Sequence, residues 1–297
     1  MKIPNVMPKT LLAAVIAALV GGGAGVANAT EPCDDFGECK VLVEINSTDG
    51  DIGFHFLMDG DDLVRAALKN PAGEKIFQYV VRRELREQTL TETFAESAEP
   101  LCFNPEFDDD EENDDEDFVT LTEFIDRWSE GTYTFVGENA DGEASYGESE
   151  LSFNLPAAPR RLKWEEEEDG GDVEGEISWR RGWHLGKCSR GMWRLPMKPK
   201  DVPVAIWEVV LEVDVDVEDP ELDEEYLAVA NAKYVVRIPG DAEELEVEVP
   251  DDFLETLPED TPAKVEVGAI GFDDNATFTE IGDICLNETD DGCEDDE

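Results

Sequence analysis

Residues Leu245–Glu280 read LEVEVPDDFLETLPEDTPAKVEVGAIGFDDNATFTE, and their apolar residues recur with a period of two. Leu245, Val247 and Val249 alternate with Glu246 and Glu248, the pattern of a strand with one face on a core and the other in water. Ala263, Val265, Val267 and Ala269 then share one face, with Lys264, Glu266 and Gly268 between them. Asp273-Asp274-Asn275 supplies turn chemistry before Phe278 to Ile281 resumes the strand pattern. Half-wetted strands of this kind must cover their apolar face with a second layer, so the stretch predicts a β-sandwich.

Strand patterns continue upstream, at Leu162-Lys163-Trp164, Glu176 to Trp179, Ile206 to Val217 and Tyr234 to Ile238. Over Ile206 to Val217, Trp207, Val209, Leu211, Val213, Val215 and Val217 face one way and Glu208, Glu212, Asp214 and Asp216 the other. Such acidic stripes are ordinary on the wet face of a strand and discourage edge-to-edge aggregation. Leu257-Pro258, Thr261, Val265, Val267 and Ala269 follow the L-x-P-G-T-x-Y-x-V-x-V-x-A phrase of the F strand in fibronectin type III domains, so this half resembles that family. The resemblance implies an Ig-like sandwich whose first, B and C strands are the upstream segments and whose E, F and G strands are the opening stretch. Ala263 occupies the position of the corner tyrosine, which removes that hydrogen bond. Such sandwiches carry many unrelated functions, so the resemblance does not fix one.

The chain begins with Lys2 and Lys9, an apolar run from Leu11 to Val20 and a Gly-rich segment ending Ala27-Asn28-Ala29. This predicts a signal peptide over residues 1–29, too short and wrongly flanked to be a stable membrane span. Residues 30–158 are expected to form a first, β-rich Ig-like domain. Val41 to Ile45 and Ile52 to Met58 flank the turn Asn46 to Gly50; Leu63 to Leu68 and Lys75 to Val81 follow Asp59-Gly60-Asp61 and Asn70-Pro71-Ala72-Gly73. Arg82 to Glu87 fits a helical turn or a strand end. Leu121, Phe124, Ile125 and Trp128 have helical spacing behind a Thr120 or Thr122 cap. Gly131 to Phe135 and Leu151 to Leu155 are read as hairpin arms around Asp141-Gly142, and the G-T-Y-T-F phrase resembles the F strand of secreted bacterial Ig-like domains. The linker Pro156-Ala157-Ala158-Pro159 separates this domain from the fibronectin type III-like domain, residues 159–297. The expected fold class is therefore mainly β: two Ig-like sandwiches, the first with one short helix.

The formal net charge is −52, from 75 acidic and 23 basic residues. Such a chain repels nucleic acid and anionic membrane. The tract Glu106 to Asp117 is expected to be a solvated acidic loop, able to collect Ca²⁺ only loosely because nothing holds its oxygens in fixed geometry. Most of the acidity lies elsewhere, so it belongs to the whole surface; a saline habitat is the preferred reading, and a surface kept soluble by excess acid, with no environmental meaning, is the alternative. Six cysteines in an export product imply disulfides rather than metal thiolates, although fifteen pairings are formally open. Sequence proximity pairs Cys33 with Cys39 and Cys285 with Cys293, leaving Cys102 for Cys188 as a staple between the domains.

One segment opposes the acidic background: residues 179–194, WRRGWHLGKCSRGMWR. Trp183, Arg190, Trp193 and Arg194 are its ligand-binding candidates, able to stack on sugar rings or grip an anionic group. The competing reading is internal, with the cations paired to the chain's own carboxylates and the tryptophans packed on a core edge. No catalytic residues and no metal ligands are assigned: His55 reads as a strand position, His184 lies in the basic loop, and the chain has no G-x-S-x-G, H-E-x-x-H or Gly-rich phosphate loop. The preferred function is an exported, periplasmic or secreted, non-catalytic binding or adhesion protein for an unidentified protein or glycan, without a cofactor. The alternative is a polysaccharide hydrolase or its carbohydrate-binding accessory, with a carboxylate pair near the Trp-rich loop.

Repulsion among the carboxylates is screened within about 3 Å at roughly 1 M salt. The thermal midpoint is therefore expected to rise between about 0.05 and 1 M NaCl; melts whose midpoint is flat across that range would contradict it.

Overall fold

The computed structural model describes residues 33, 35–103, 118–169, 172–217 and 222–289. The expected signal peptide, the acidic tract Glu106 to Asp117 and Cys293 lie outside the described residues. Among the described residues the chain is mainly β. β1 (Glu38–Asn46) and β2 (Asp51–Lys69) form the first hairpin, followed by β3 (Lys75–Val80), the short helix α1 (Glu84–Gln88) and β4 (Leu90–Glu96). Helix α2 (Leu121–Arg127) leads to β5 (Gly131–Asn139) and β6 (Ala144–Leu151). The second half holds β7 (Arg160–Asp169), β8 (Asp172–Arg180), β9 (Val204–Val213), α3 (Glu224–Val229), β10 (Lys233–Pro239), β11 (Glu246–Val249), α4 (Asp251–Leu254), β12 (Thr261–Gly271) and β13 (Ala276–Leu286).

In the second half, the alternation of the sequence becomes two facing layers. β11, β8 and β7 form a three-stranded sheet, while β10, β9, β12 and β13 lie in order at one end of a ten-stranded sheet. Ile177, Trp179, Val247 and Val249 from the first meet Trp207, Val209, Leu211, Val265, Val267 and Ala269 from the second in one core. The Trp179 and Trp207 rings meet edge to face with centroids 5.9 Å apart, a favoured aromatic geometry. β9 stops at Val213, short of the expected Val217, which is exposed. Val213 pairs with Ala263 and the Asp214 N–H still donates to the Pro262 carbonyl at 2.9 Å, but the partner strand begins at Thr261 and Pro262 has no N–H to return a bond, so the ladder ends.

The first half departs from the expected second sandwich. All of β1 to β6 belong to the same ten-stranded sheet, which closes around a core of its own. The 19-residue β2 makes this possible. Its first part pairs with β1 and β4, and its last part, Leu63 to Lys69, pairs with β3 and β5. The segment Asp59-Gly60-Asp61, expected to separate two strands, instead bends one: the register shifts between Asp59 and Leu63, and Asp62 takes φ 55°. The sheet curls until β6 approaches β1, where the Val41 N–H donates to the Ser149 hydroxyl at 3.2 Å. β6 spans Ala144 to Leu151, so the second hairpin arm precedes rather than follows Leu151. Helix α2 is capped as expected by Thr120, whose side chain accepts from the Glu123 N–H while Glu123 reaches back to the Thr120 N–H. Trp128 at its end stacks on Phe54 at 4.0 Å. Arg82 to Glu87 resolves as the helical turn α1.

The halves join along a parallel pairing of β1 with β13, Glu44 opposite Ala276 and Asn46 opposite Phe278. Asn275 stands at the start of this seam, 1% exposed. Its Oδ1 accepts from the Val43 N–H at 2.8 Å and its Nδ2 donates to the Ser152 carbonyl at 3.0 Å, so one amide ties three strand ends together. Two of the expected disulfides are present, Cys33–Cys39 and Cys102–Cys188, the second linking segments from the two halves. The third expected pair includes Cys293, outside the described residues.

Replacing Asn275 with Ala leaves a buried Val43 N–H without its acceptor, and is expected to destabilise the fold by about 1 to 3 kcal/mol in urea unfolding. A loss under about 0.5 kcal/mol would show that the seam does not depend on this amide.

Candidate functional site

The basic segment follows β8 and is fastened to the first half. Leu185 and Leu195 enter the first core, and Cys188, fully buried, reaches Cys102 through the disulfide. The backbone adds further ties: Ala158 N–H donates to the His184 carbonyl at 2.9 Å, and Lys187 N–H to the Ser47 carbonyl at 3.2 Å. Gly186, at φ 61°, passes so close to Ser47 that a Cβ would stand 2.2 Å from its carbonyl oxygen, an approach and a conformation only glycine accommodates easily. The segment is thus a fixed strap rather than a free loop.

On this strap the four expected ligand residues occupy different places. Trp193 is 81% exposed and Trp183 53%. The Arg160 guanidinium lies 4.3 Å from the Trp183 ring centre, and His184 packs edge-on at 5.5 Å. Arg194 sits 5.8 Å from the Trp193 ring and donates to Asp126 at 2.6 Å, so its charge is partly spent internally. Arg190 is exposed between them. Among the described ring contacts none joins Trp183 to Trp193. The internal reading holds for Trp179, buried in the second core, and for Arg181, which donates to the Gly240 carbonyl and lies over Trp207. Arg160 was not foreseen, because it comes from β7 and only the pairing of Arg160 with Arg180 brings it beside the strap.

A cleft lies elsewhere, on the three-stranded sheet and the turn into α4, lined by Glu165, Glu176, Glu248 and Asp251 with Gly175, Val249 and Pro250. No residue of the basic strap lines it. The carboxylates face one another because Glu176 pairs with both Glu165 and Glu248 across adjacent strands.

A second polar constellation lies on the face of the ten-stranded sheet opposite the first core. The β1–β2 register sets Leu42 against His55 and Glu44 against Gly53, which places Glu44 and His55 diagonally on one face. His55 is 1% exposed; its Nε2 lies 3.1 Å from Glu99 Oε1, and its Nδ1 lies 4.0 Å from Glu44 Oε2 with no hydrogen-bond partner. Glu99 is held by the chain after β4, which runs beside β2: Phe54 N–H donates to the Ser97 hydroxyl at 3.0 Å and Ile52 N–H to the Pro100 carbonyl at 3.2 Å. Burial pushes Glu44 up to about 7, with His55 opposing and Glu99, Glu96 and Glu208 adding to the rise. For His55 burial acts downward, but the Glu99 hydrogen bond and the charges of Glu44, Glu99 and Glu96 outweigh it and raise the imidazole. The expected strand position of His55 is correct. Its neighbourhood was partly legible, since the hairpin register follows from the alternation, whereas Glu99 is reached only through the tertiary fold.

The same face carries Glu266 on β12, opposite Val210 of β9 and Glu280 of β13. Burial pushes it up to about 8; Glu44, Glu280 and Glu212 add to the rise and Lys264 opposes it.

No known protein family's sequence profile matches the chain, and no curated protein sequence does. Among solved structures, the chain resembles one from a study of how a 1.5-MDa bacterial ice-binding adhesin is retained on the host cell surface, at 8% identity and a TM-score of 0.24. The alignment covers 84% of this chain and 64% of that one, so this chain spans less than two thirds of its length. A likeness of that size carries no argument about function.

Glu266 has a folded-state value well above its ordinary 4.5, so the folded form holds its proton more tightly than the unfolded one. Its contribution to stability is full below about pH 4.5 and is lost as pH rises from there through about 8. The melting midpoint is expected to fall between pH 5 and 8.5, and Glu266→Gln, which mimics the protonated acid, is expected to flatten that fall. An unchanged slope in the variant would remove Glu266 as a cause.

Proposed function

We propose that this chain is an exported, non-catalytic binding or adhesion protein, acting in the periplasm or outside the cell, with a surface built on the basic strap. One observation carries the reading: Trp183 and Trp193 are held out to solvent on a segment pinned by Cys102–Cys188 and by Leu185 and Leu195. Large aromatic side chains left exposed on a rigid support lose little freedom on binding, which favours affinity. Arg160 beside Trp183 and the exposed Arg190 add local positive charge to the strap of an acidic chain, fitting a glycan with anionic groups or an acidic protein.

Two disulfides support an oxidising destination. Among the described residues no helix is long and apolar enough to cross a membrane. We read residues 159–297 as a fibronectin type III-like sandwich, because the strands matched to the first, B and E strands form one sheet and those matched to C, F and G lie together in the other. Residues 30–158 are read as a β-rich companion domain curled around its own core. The hydrolase alternative needs converging carboxylates beneath the exposed tryptophans; the carboxylate-lined cleft described above shares no residue with the strap.

Replacing both Trp183 and Trp193 with Ala is expected to abolish binding to whichever sulfated or uronate-bearing glycan or acidic protein binds the wild type in an array. The melting midpoint should stay within about 2 °C, because exposed side chains contribute little to the fold. A loss of about 3 to 5 kcal/mol, as for a truncated core tryptophan, with unchanged binding would overturn the reading.

A further inference from the structure

The strap leaves the Glu44–His55–Glu99 constellation unexplained. Each of the three offers one ligand atom, and these atoms lie within 4.8 Å of one another. A tetrahedral Zn²⁺ with bonds of about 2.0 to 2.2 Å sets its ligands about 3.4 Å apart, a spacing that atoms already within 4.8 Å of one another reach by side-chain rotation.

Three further observations point to a cation there. His55 is buried, yet its Nδ1 has no hydrogen-bond partner and faces Glu44, a costly arrangement that a metal bound at Nδ1 relieves. Position 53 is glycine, and a Cβ there would stand 2.6 Å from His55 Nε2 and 2.7 Å from Glu99 Oε1. The sequence thus keeps clear the space in which the imidazole and carboxylate converge. The acidic groups also outnumber the basic one: among the described residues His55 stands beside Glu44 and Glu99, and Glu96 pairs with it between β2 and β4. A divalent ion supplies what is missing.

We infer that Glu44, His55 and Glu99 form a divalent transition-metal site, with Zn²⁺ as its ion. The imidazole selects against Ca²⁺ and Mg²⁺, which prefer all-oxygen shells. Three protein ligands leave a fourth position for water, reached from the Glu99 side, whose side chain is 26% exposed. The ion would tie the β1–β2 hairpin to the segment after β4 that leads to Cys102, independently of the strap's ligand.

The experiment uses the full exported chain and Zn²⁺ alone, in 1 M NaCl to suppress loose association with surface carboxylates. The chain has two histidines, so imidazole NMR signals are readily assigned. One equivalent of Zn²⁺ is expected to shift the His55 signals, leave those of His184 in place and raise the melting midpoint, whereas the same concentration of Mg²⁺ does neither. His55→Gln and Glu99→Gln should weaken Zn²⁺ by about a hundredfold or more, and Gly53→Ala, which retains every ligand, by about tenfold or more. Should His55→Gln fail to fold, the partly exposed Glu99 and Gly53→Ala still decide. Signals that move only at His184, equal responses to Mg²⁺, or variants that bind Zn²⁺ like the wild type would overturn the assignment.

Discussion

The parallel pairing of β1 with β13 joins two cores that would otherwise be separate. Each half buries its own apolar set, and neither set alone explains why the halves share one sheet. The seam is short, and parallel pairing is slightly weaker per residue than antiparallel. It is reinforced by polar contacts: the buried Asn275 amide, the part-buried Ser47–Thr279 hydroxyl pair at 2.7 Å and the partly exposed Lys40–Asp274 ion pair at 3.4 Å. Because the Asn275 amide is removed from water, its bonds matter more for what breaking them would leave unsatisfied than for what they add. The Cys102–Cys188 disulfide and the strap cross the same junction, so the exposed tryptophans inherit their position from it.

Acidity is handled in two ways. On the surface, carboxylates repel weakly through water and salt, a modest cost that also keeps the chain soluble. On the face that carries Glu44, Asp51 and Glu266, burial removes that screening, and these carboxylates are pushed up to about 7, 7 and 8. Basic residues answer only part of the charge. Lys264 reaches Glu212 at 3.4 Å and Arg237 pairs with Glu208, but among the described residues the basic group beside Glu44 is His55. This imbalance is local, and it makes the His55 corner unlike the ordinary acidic stripes of β9 and β11.

The basic strap shows how an exposed aromatic surface can be made rigid without secondary structure. Short 3-10 turns at Gly186–Ser189, Met192–Arg194 and Pro199–Asp201 alternate with buried anchors at Leu185, Cys188 and Leu195. Exposed and buried positions therefore interleave along the strap. Trp179 and Trp183, four residues apart, end in opposite environments because the first closes β8 and the second begins the strap.

The strands of the second half, the caps of α2, the turn at Asp273-Asp274-Asn275 and the Cys33–Cys39 and Cys102–Cys188 pairs were legible in the sequence. Each depends on local rules: a period of two, a Thr–Glu capping spacing, turn chemistry, or the order of cysteines. The sequence likewise singled out the basic segment by composition. Its division into buried Trp179 and exposed Trp183 and Trp193 was decided by tertiary contacts, because composition does not say which side of a ring meets a core. The curl of the first sheet turns on a bend inside β2, where Asp59-Gly60-Asp61 reads locally as a strand break; only the partners on both edges keep the strand going. Asn275 read as a turn residue and serves also as a buried clamp, since its acceptor and donors find Val43 and Ser152 more than a hundred residues away in sequence. Glu99 comes to His55 for the same reason: hairpin register is local, but the return of the chain after β4 is set by packing against β2, which no short stretch of sequence encodes.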